Sequence, residues 1–366
     1  MTEASISLCM IVRDEEEVLE RCLSTIADIV DEIIIVDTGS TDNTKEIARK
    51  FTDKIYDFEW IDDFSKARNF SFSKSTKEYI MWLDADDIVP DESRQQILEL
   101  KNKLITHNMK SVLMEYQYAF DAEGNSTFAH RRERIVKRDC NFKWVGKVHE
   151  ILDVSGTAHV TNIVIKHKRM KAHSDRNIKI YEKALKLGET LSIRDRFNYA
   201  NECYDNQQYD KALKLYEEYL KEFEDSDLVD QRVYGYLKIV DCLIQLNEFD
   251  KAILNGLKSF QLDYPRAEVC CRLGYLYETK KEILKAINWY KIATAVDIPM
   301  HSTYIQQHCY TWLPHLQLFA CYVSIGNFQE AKRHNDLAAK YIPNSAYVTN
   351  NEKVLEEMKL KYENGD

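Results

Sequence analysis

The chain has 366 residues, a formal net charge of −10, and only 10 glycines and 5 prolines. Hydrophobic residues at 45% and charged residues at 30% give a globular composition with length for about two cores, which excludes a disordered chain. The acidic balance gives no general attraction to a polyanion, and no two glycines stand one apart; nucleic acid is excluded as the main partner, as are the glycine cradles G-x-G-x-x-G and G-x-x-x-x-G-K-[ST].

The first residues lack a basic n-region and their apolar run is short, so no signal peptide is expected. No stretch approaches about 18 apolar residues, so no membrane span is expected either. Nine cysteines, odd in number and without C-x-x-C spacing, read as reduced, mostly buried thiols of a cytoplasmic protein.

In chain order, the apolar run 6–12 predicts a buried parallel strand. A helical stripe of Val18, Leu19, Cys22, Leu23, Ile26 and Ile29 follows over 15–29. Residues 32–36 predict a second strand, ending in a loop rich in Ser, Thr and Asp that suits a helix start before 43–51. A short strand at 54–58, a helix at 65–75 and a buried strand at 79–83 continue the alternation, which implies an α/β sheet with right-handed crossovers. Later strands are expected at 112–120 and 132–136, one of them antiparallel.

Near residue 170 the character changes to almost all helix, and the text repeats. Leu273, Gly274, Tyr277, Ala286, Tyr290 and Ala293 fall at tetratricopeptide spacing, with Pro299 near the repeat end. Ala212, Ala252 and Ala331 are the equivalent small residues of three irregular relatives, at intervals of 40, 34 and 45 residues along the series with Ala286. Small residues there let paired helices approach closely, and stacked pairs bury one continuous core.

The strand at 79–83 runs straight into Asp84-Ala85-Asp86-Asp87. Carboxylates at the carboxyl end of a buried strand need compensation, and that edge is where open α/β sheets bind ligands. Alternate aspartates can offer oxygens to a hard divalent cation.

The segments LCMIVRDEEEVLERCLSTI, EIIIVDTGSTDNTKEIA, DFSKARNFSFSKSTKEYIMWLDADD and FKWVGKVHEIL together resemble the family 2 glycosyltransferases of GT-A fold. The resemblance covers most of residues 5–170. With the helical repeats, it is similar to bacterial enzymes that glycosylate a small peptide, the sublancin-type S-glycosyltransferases. It implies an α/β GT-A domain, the nucleotide-diphosphosugar transferase fold, over 1–170, and an all-α tetratricopeptide-like repeat domain over 171–366.

The resemblance also implies roles for single residues. Asp37 would receive hydrogen bonds from the nucleobase or ribose, while Asp42 caps the next helix. Arg68 would face the nucleotide, as a guanidinium suits phosphate or base edges. Glu15 aligns with a Glu near the end of the first strand, although Arg13-Asp14 replaces the usual aromatic-Asn pair. Asp84 and Asp86 would hold the sugar diphosphate and metal, with Asp86 the direct ligand, and His167 would complete the shell. The family continues H-x-G-Y there, whereas this chain reads His167-Lys168-Arg169-Met170. Arg131, Arg132 and Arg134 would hold the diphosphate. Glu150 in His149-Glu150 is the preferred catalytic base, with Asp87 as competitor.

The implied activity is metal-dependent, inverting transfer from a UDP-sugar, with Mn²⁺ or Mg²⁺, to a Cys or Ser/Thr side chain of a peptide or protein. One alternative is a cell-surface polysaccharide or glycolipid transferase whose repeats form a homodimer. Another is a repeat scaffold with a decayed transferase half.

Overall fold

The computed structural model describes residues 3–120, 126–168, 174–222, 228–299 and 305–364. The chain divides into two compact units, Met1–Gly188 and Glu189–Asp366. The compositional boundary at 170/171, with Arg169 and Met170, lies outside the described residues.

The first unit contains, in order, β1 (Ile6–Val12), α1 (Leu19–Ser24), β2 (Glu32–Asp37), α2 (Thr44–Arg49), β3 (Ile55–Asp57), α3 (Phe64–Ser73), β4 (Tyr79–Trp82), β5 (Asp87–Ile88) and α4 (Asp91–Thr106). Then follow β6 (Ser111–Phe120), β7 (Ser126–Lys137), β8 (Lys143–Val145), β9 (Ile151–Asp153), β10 (His159–His167) and α5 (Arg176–Lys186). Helix α5 belongs to this unit, where Arg176 lies over the Phe64 ring and Lys183 pairs with Asp62.

Eight strands form one mixed sheet in the order β3-β2-β1-β4-β7-β6-β10-β5, and β8 and β9 make a separate hairpin. Strands β3, β2, β1 and β4 are parallel, and β7 turns the sheet antiparallel. The central strands read as unbroken apolar runs because both faces are covered. Ile6, Leu8, Met10, Ile33, Ile35 and Met81 enter one core, while Cys9, Ile34, Val36, Ile80 and Trp82 enter the other.

Two helices differ from expectation, and the strands β5, β8, β9 and β10 are additions to the expected ones. Only Leu19–Ser24 of the stretch 15–29 is regular helix; Asp14 takes φ 52°, and the Glu15 carbonyl receives the Val18 and Leu19 N–H groups in a separate turn. Helix α4 is an addition to the expected elements, since its sequence is mostly polar; it is held by buried Ile97, Leu100 and Leu104.

The second unit pairs α6 (Ile193–Asp205) with α7 (Tyr209–Glu222), α8 (Val229–Gln245) with α9 (Phe249–Ser259), and α10 (Ala267–Thr279) with α11 (Ile283–Ala293). A 3₁₀ turn, Gln307–Tyr310, precedes the pair α12 (Leu313–Ser324) and α13 (Phe328–Ala339), and α14 (Ala346–Asn364) packs on that pair. Ala212, Ala252, Ala286 and Ala331 all lie on the second helix of a pair and are fully buried. Five positions before each stands a left-handed residue, Gln207, Asn247, Lys281 or Gly326, with φ between 59° and 73°. The next N–H reaches back to the first helix in every case, as in Gln208 to the Cys203 carbonyl and Glu282 to the Tyr277 carbonyl, both 2.8 Å. Each pair is therefore closed by the same left-handed helix cap. At Gly274 a Cβ would stand 2.5 Å from the Tyr290 ring, so the close crossing of α10 and α11 requires the missing side chain.

Candidate active site

The carboxyl ends of β1, β2 and β4 share one edge, and the polar side chains gather there. Asp37 ends β2 fully buried. Its Oδ2 accepts from the Gly39 and Ser40 N–H groups, each at 3.0 Å, with Lys45 3.5 Å away. Its Oδ1 is buried without a hydrogen-bond partner, an open acceptor at the strand end. Asp42 holds the start of α2 by accepting from the Thr44 N–H at 2.9 Å. Glu15 is tied to the same loop through its own N–H, which donates to Thr44 Oγ1 at 2.7 Å.

Beyond β4, Asp84 meets Arg68. The Arg68 guanidinium donates to Asp84 Oδ1 at 2.7 Å and to Glu150 Oε1 at 2.5 Å. It is only 7% exposed and lies 4.8 Å from the centroids of both Trp82 and Trp144. Those aromatic faces position the cation and keep water from it. Burial pushes the Asp84 carboxyl up, but Arg68, Arg134 and Arg132 outweigh it and hold Asp84 well below the usual carboxylate range. Burial lowers the Arg68 pKa, and the two carboxylates more than restore it, so the group stays charged. Glu150 is itself 9% exposed.

A second cluster adjoins the first. Asp86, Asp87 and His167 offer ligand atoms within 4.8 Å of one another. The antiparallel register of β10 on β5 sets His167 directly opposite Asp87, and the imidazole Nδ1 lies 3.2 Å from both Asp86 Oδ1 and Asp87 Oδ1. Burial pushes His167 down, but the hydrogen bonds to Asp86 and Asp87 win and raise it to about 10. Asp87 is fully buried. Its Oδ1 also accepts from the Tyr116 hydroxyl at 3.1 Å, and its Oδ2 from the Asp84 N–H and Arg134, both at 3.0 Å. Two carboxylates and an imidazole form a donor set that could hold a divalent cation. Asp84 stands outside this set, with Oδ1 taken by Arg68.

The three arginines of β7 separate. Arg131 is exposed, Arg132 is half-buried 5.7 Å from the Trp82 ring, and Arg134 is fully buried between Trp82 and Tyr116 against Asp87. A cavity of about 160 Å³ lies over the strand ends, lined by Glu15, Thr38, Arg68, Asp84 and Asp86 together with Trp60 and Phe64. Sequence reasoning passes over Trp60, Phe64, Trp82 and Trp144. Of these, Phe64, Trp82 and Trp144 carry a signal, since each lies within a segment that bears the family resemblance, whereas Trp60 does not.

Residues 7–167 match the family model described as Glycosyl transferase family 2. The first unit is a family 2 glycosyl transferase domain. The chain also aligns with the SPbeta prophage-derived glycosyltransferase SunS of Bacillus subtilis (strain 168), 26% identical over 279 residues, covering 72% of this chain and 64% of that protein. A TPR repeat-containing protein of Synechococcus elongatus is 51% identical over 84 residues, covering 23% of this chain and 21% of that protein. The chain thus spans less than two thirds of the length of either relative. Among solved structures, a thermophilic TPR protein of Thermus thermophilus aligns with TM-score 0.37 and 16% identity, covering 50% of this chain and 89% of that one. The second unit of this chain stacks helix pairs in which Ala212, Ala252, Ala286 and Ala331 keep the tetratricopeptide-like positions. Among the described residues, no helix is long and apolar enough to cross a membrane.

Proposed function

We propose that this protein is an inverting glycosyltransferase that moves a sugar from a UDP-sugar to a Cys or Ser/Thr side chain of a peptide or protein. The observation that carries the reading is the adjacency, at the carboxyl edge of the sheet, of the Asp86-Asp87-His167 cluster and the Asp84-Arg68-Glu150 chain. In this reading Asp37 receives the nucleobase N–H on its open Oδ1, and Glu15 lines the nucleotide side of the cavity. Asp86 and His167 would hold Mn²⁺ or Mg²⁺, with Asp87 orienting the imidazole rather than acting as base, since both its oxygens are engaged within the core. The cation, when bound, neutralises charge on the leaving diphosphate. Arg132, at the mouth of the arginine strand, adds positive charge on the diphosphate side.

Glu150 takes the proton of the acceptor nucleophile. Arg68 fixes its orientation and ties it to donor-side Asp84, so base and donor site keep one geometry. A thiol acceptor, with ordinary pKa about 8.5, needs less help from the base than a hydroxyl. The helical repeats would supply the surface that selects an extended acceptor. The resemblance to the sublancin-type enzymes, with the SunS alignment extending over 72% of the chain, favours a peptide acceptor over a polysaccharide. The test is intact mass spectrometry of candidate peptides incubated with a panel of UDP-sugars and Mn²⁺. A hexose-sized gain on one side chain is expected; transfer to lipid-linked sugars alone would overturn the peptide reading.

A further inference from the structure

The interval from Ala286 to Ala331 is the longest in the repeat series, and the excess lies between α11 and α12. The described part of that connection folds back onto α10. The Gln306 N–H donates to Glu268 Oε1 at 2.9 Å, and the Tyr310 hydroxyl donates to Glu268 Oε2 at 2.7 Å. Arg272 donates to Gln306 Oε1 at 2.8 Å while its Nε holds Asp241 of α8 at 3.0 Å. Within this network two thiols meet. The Cys271 Sγ lies 3.9 Å from the Cys309 carbonyl oxygen, the Cys309 Sγ lies 3.8 Å from Gln306 Oε1, and Arg272 stands 3.7 Å from the Cys309 Sγ. Both cysteines are buried, yet a cavity of about 360 Å³ reaches Cys271, Arg272 and His308.

We propose that Cys271 and Cys309 are a reversible dithiol, which a peroxide converts to a disulfide that fastens the turn Gln307–Tyr310 to α10. The surroundings divide the roles. The Cys271 side chain, opposed by burial and helped by His308 and Arg272, draws the Cys309 thiol down. Contact with Cys309, and burial, push Cys271 up. The Arg272 guanidinium beside the Cys309 Sγ makes Cys309 the attacking sulfur. The Cys309 sulfur attacks one peroxide oxygen, the O–O bond breaks, and hydroxide leaves as water after taking a proton. Cys271 then attacks the sulfenic sulfur, the S–S bond forms, and the sulfenic oxygen departs as a second water. In sum, two thiols and one hydrogen peroxide give one disulfide and two waters. Neighbouring Cys270 is held high, at about 12, by burial and Glu268, and makes no contact of this kind with Cys309.

The experiment treats the folded, full-length chain with hydrogen peroxide, alkylates the remaining thiols, and maps the digest by mass spectrometry. A linked peptide joining Cys271 to Cys309, lighter by two hydrogens, lost on dithiothreitol treatment and accompanied by a rise in Tm of several degrees, is the expected result. In Cys271→Ser the sulfenic acid should persist on Cys309 and be trapped by dimedone. Free Cys271 and Cys309 in peroxide-treated protein whose partly exposed Cys140 has oxidised would overturn the proposal, as would linkage through Cys270. The first measurement needs no variant, so it stands even if the substitution unfolds the chain.

Discussion

Arg68 Nε and Glu150 Oε1 lie 2.5 Å apart although 82 positions separate them, and the same guanidinium grips Asp84. Three charges share a pocket walled by Trp82 and Trp144, where each is stable only because of the others. Removing the cation should therefore cost more than a surface ion pair. Arg68→Met is expected to destabilise the chain by about 3–5 kcal/mol in urea unfolding. Arg68→Lys keeps the charge without the planar fork, and should lower kcat about 100-fold with little change in donor KM. Equal losses in kcat and donor affinity would point instead to direct nucleotide contact.

Glu150→Gln preserves shape and one acceptor oxygen for Arg68 but cannot take a proton. Transfer should fall by about 10²- to 10⁴-fold while UDP binding, read by calorimetry, stays within error. Full activity in this variant eliminates Glu150 as the base.

For the cation, Asp86→Ala and His167→Ala should abolish Mn²⁺ binding followed by electron paramagnetic resonance. Asp87→Asn should weaken it by about 10- to 100-fold, as expected when a group orienting a ligand is lost. A chelator should stop transfer and added Mn²⁺ restore it. Unaltered Mn²⁺ spectra in His167→Ala would remove that residue from the set.

Stability at acid pH should depend on Glu32. Burial pushes this carboxyl up, but Lys54, Ser7 and Thr76 outweigh it and hold it at about 2, below its ordinary 4.5. A depressed folded pKa gives stability that is present above 4.5 and lost as pH falls toward 2. Wild type should thus exceed Glu32→Gln in urea midpoint at about pH 6, with the gap closing progressively below about pH 4.5. A gap independent of pH would show that the carboxylate's charge contributes nothing.

In the second unit, Gly274→Ala places a methyl 2.5 Å from the Tyr290 ring. Overpacking of this kind costs about 1–3 kcal/mol, seen as a lower unfolding midpoint. Tyr290→Leu in the same chain should return part of the loss, because the ring is the group in the way.

What is legible in the sequence follows the range of the forces involved. The parallel strands announce themselves because burial on both faces leaves runs such as residues 6–12 and 32–36 almost wholly apolar. The repeat alanines are legible because a small residue is required wherever two helices cross closely, and all four are fully buried. Helix α4 escapes because its buried stripe is narrow, with only Ile97, Leu100 and Leu104 of its five apolar residues buried on a mostly polar cylinder. At the site, Asp84, Asp86, Glu150 and His167 can be named from motifs, but not their partners. That Arg68 spans Asp84 and Glu150, that Asp87 is consumed by Arg134 and Tyr116, and that Trp82 and Trp144 enclose the cation all depend on register and crossover. A single sequence does not state which distant side chains those bring together.

The left-handed caps at Gln207, Asn247, Lys281 and Gly326 have a consequence for how the second unit can vary. Each helix pair carries its own closing turn at a fixed distance from its buried alanine, so its internal frame is set locally. The links from pair to pair differ in length, so chain is added there rather than inside a pair, and in the longest of them the added turn Gln307–Tyr310 is tied back to α10 through Glu268.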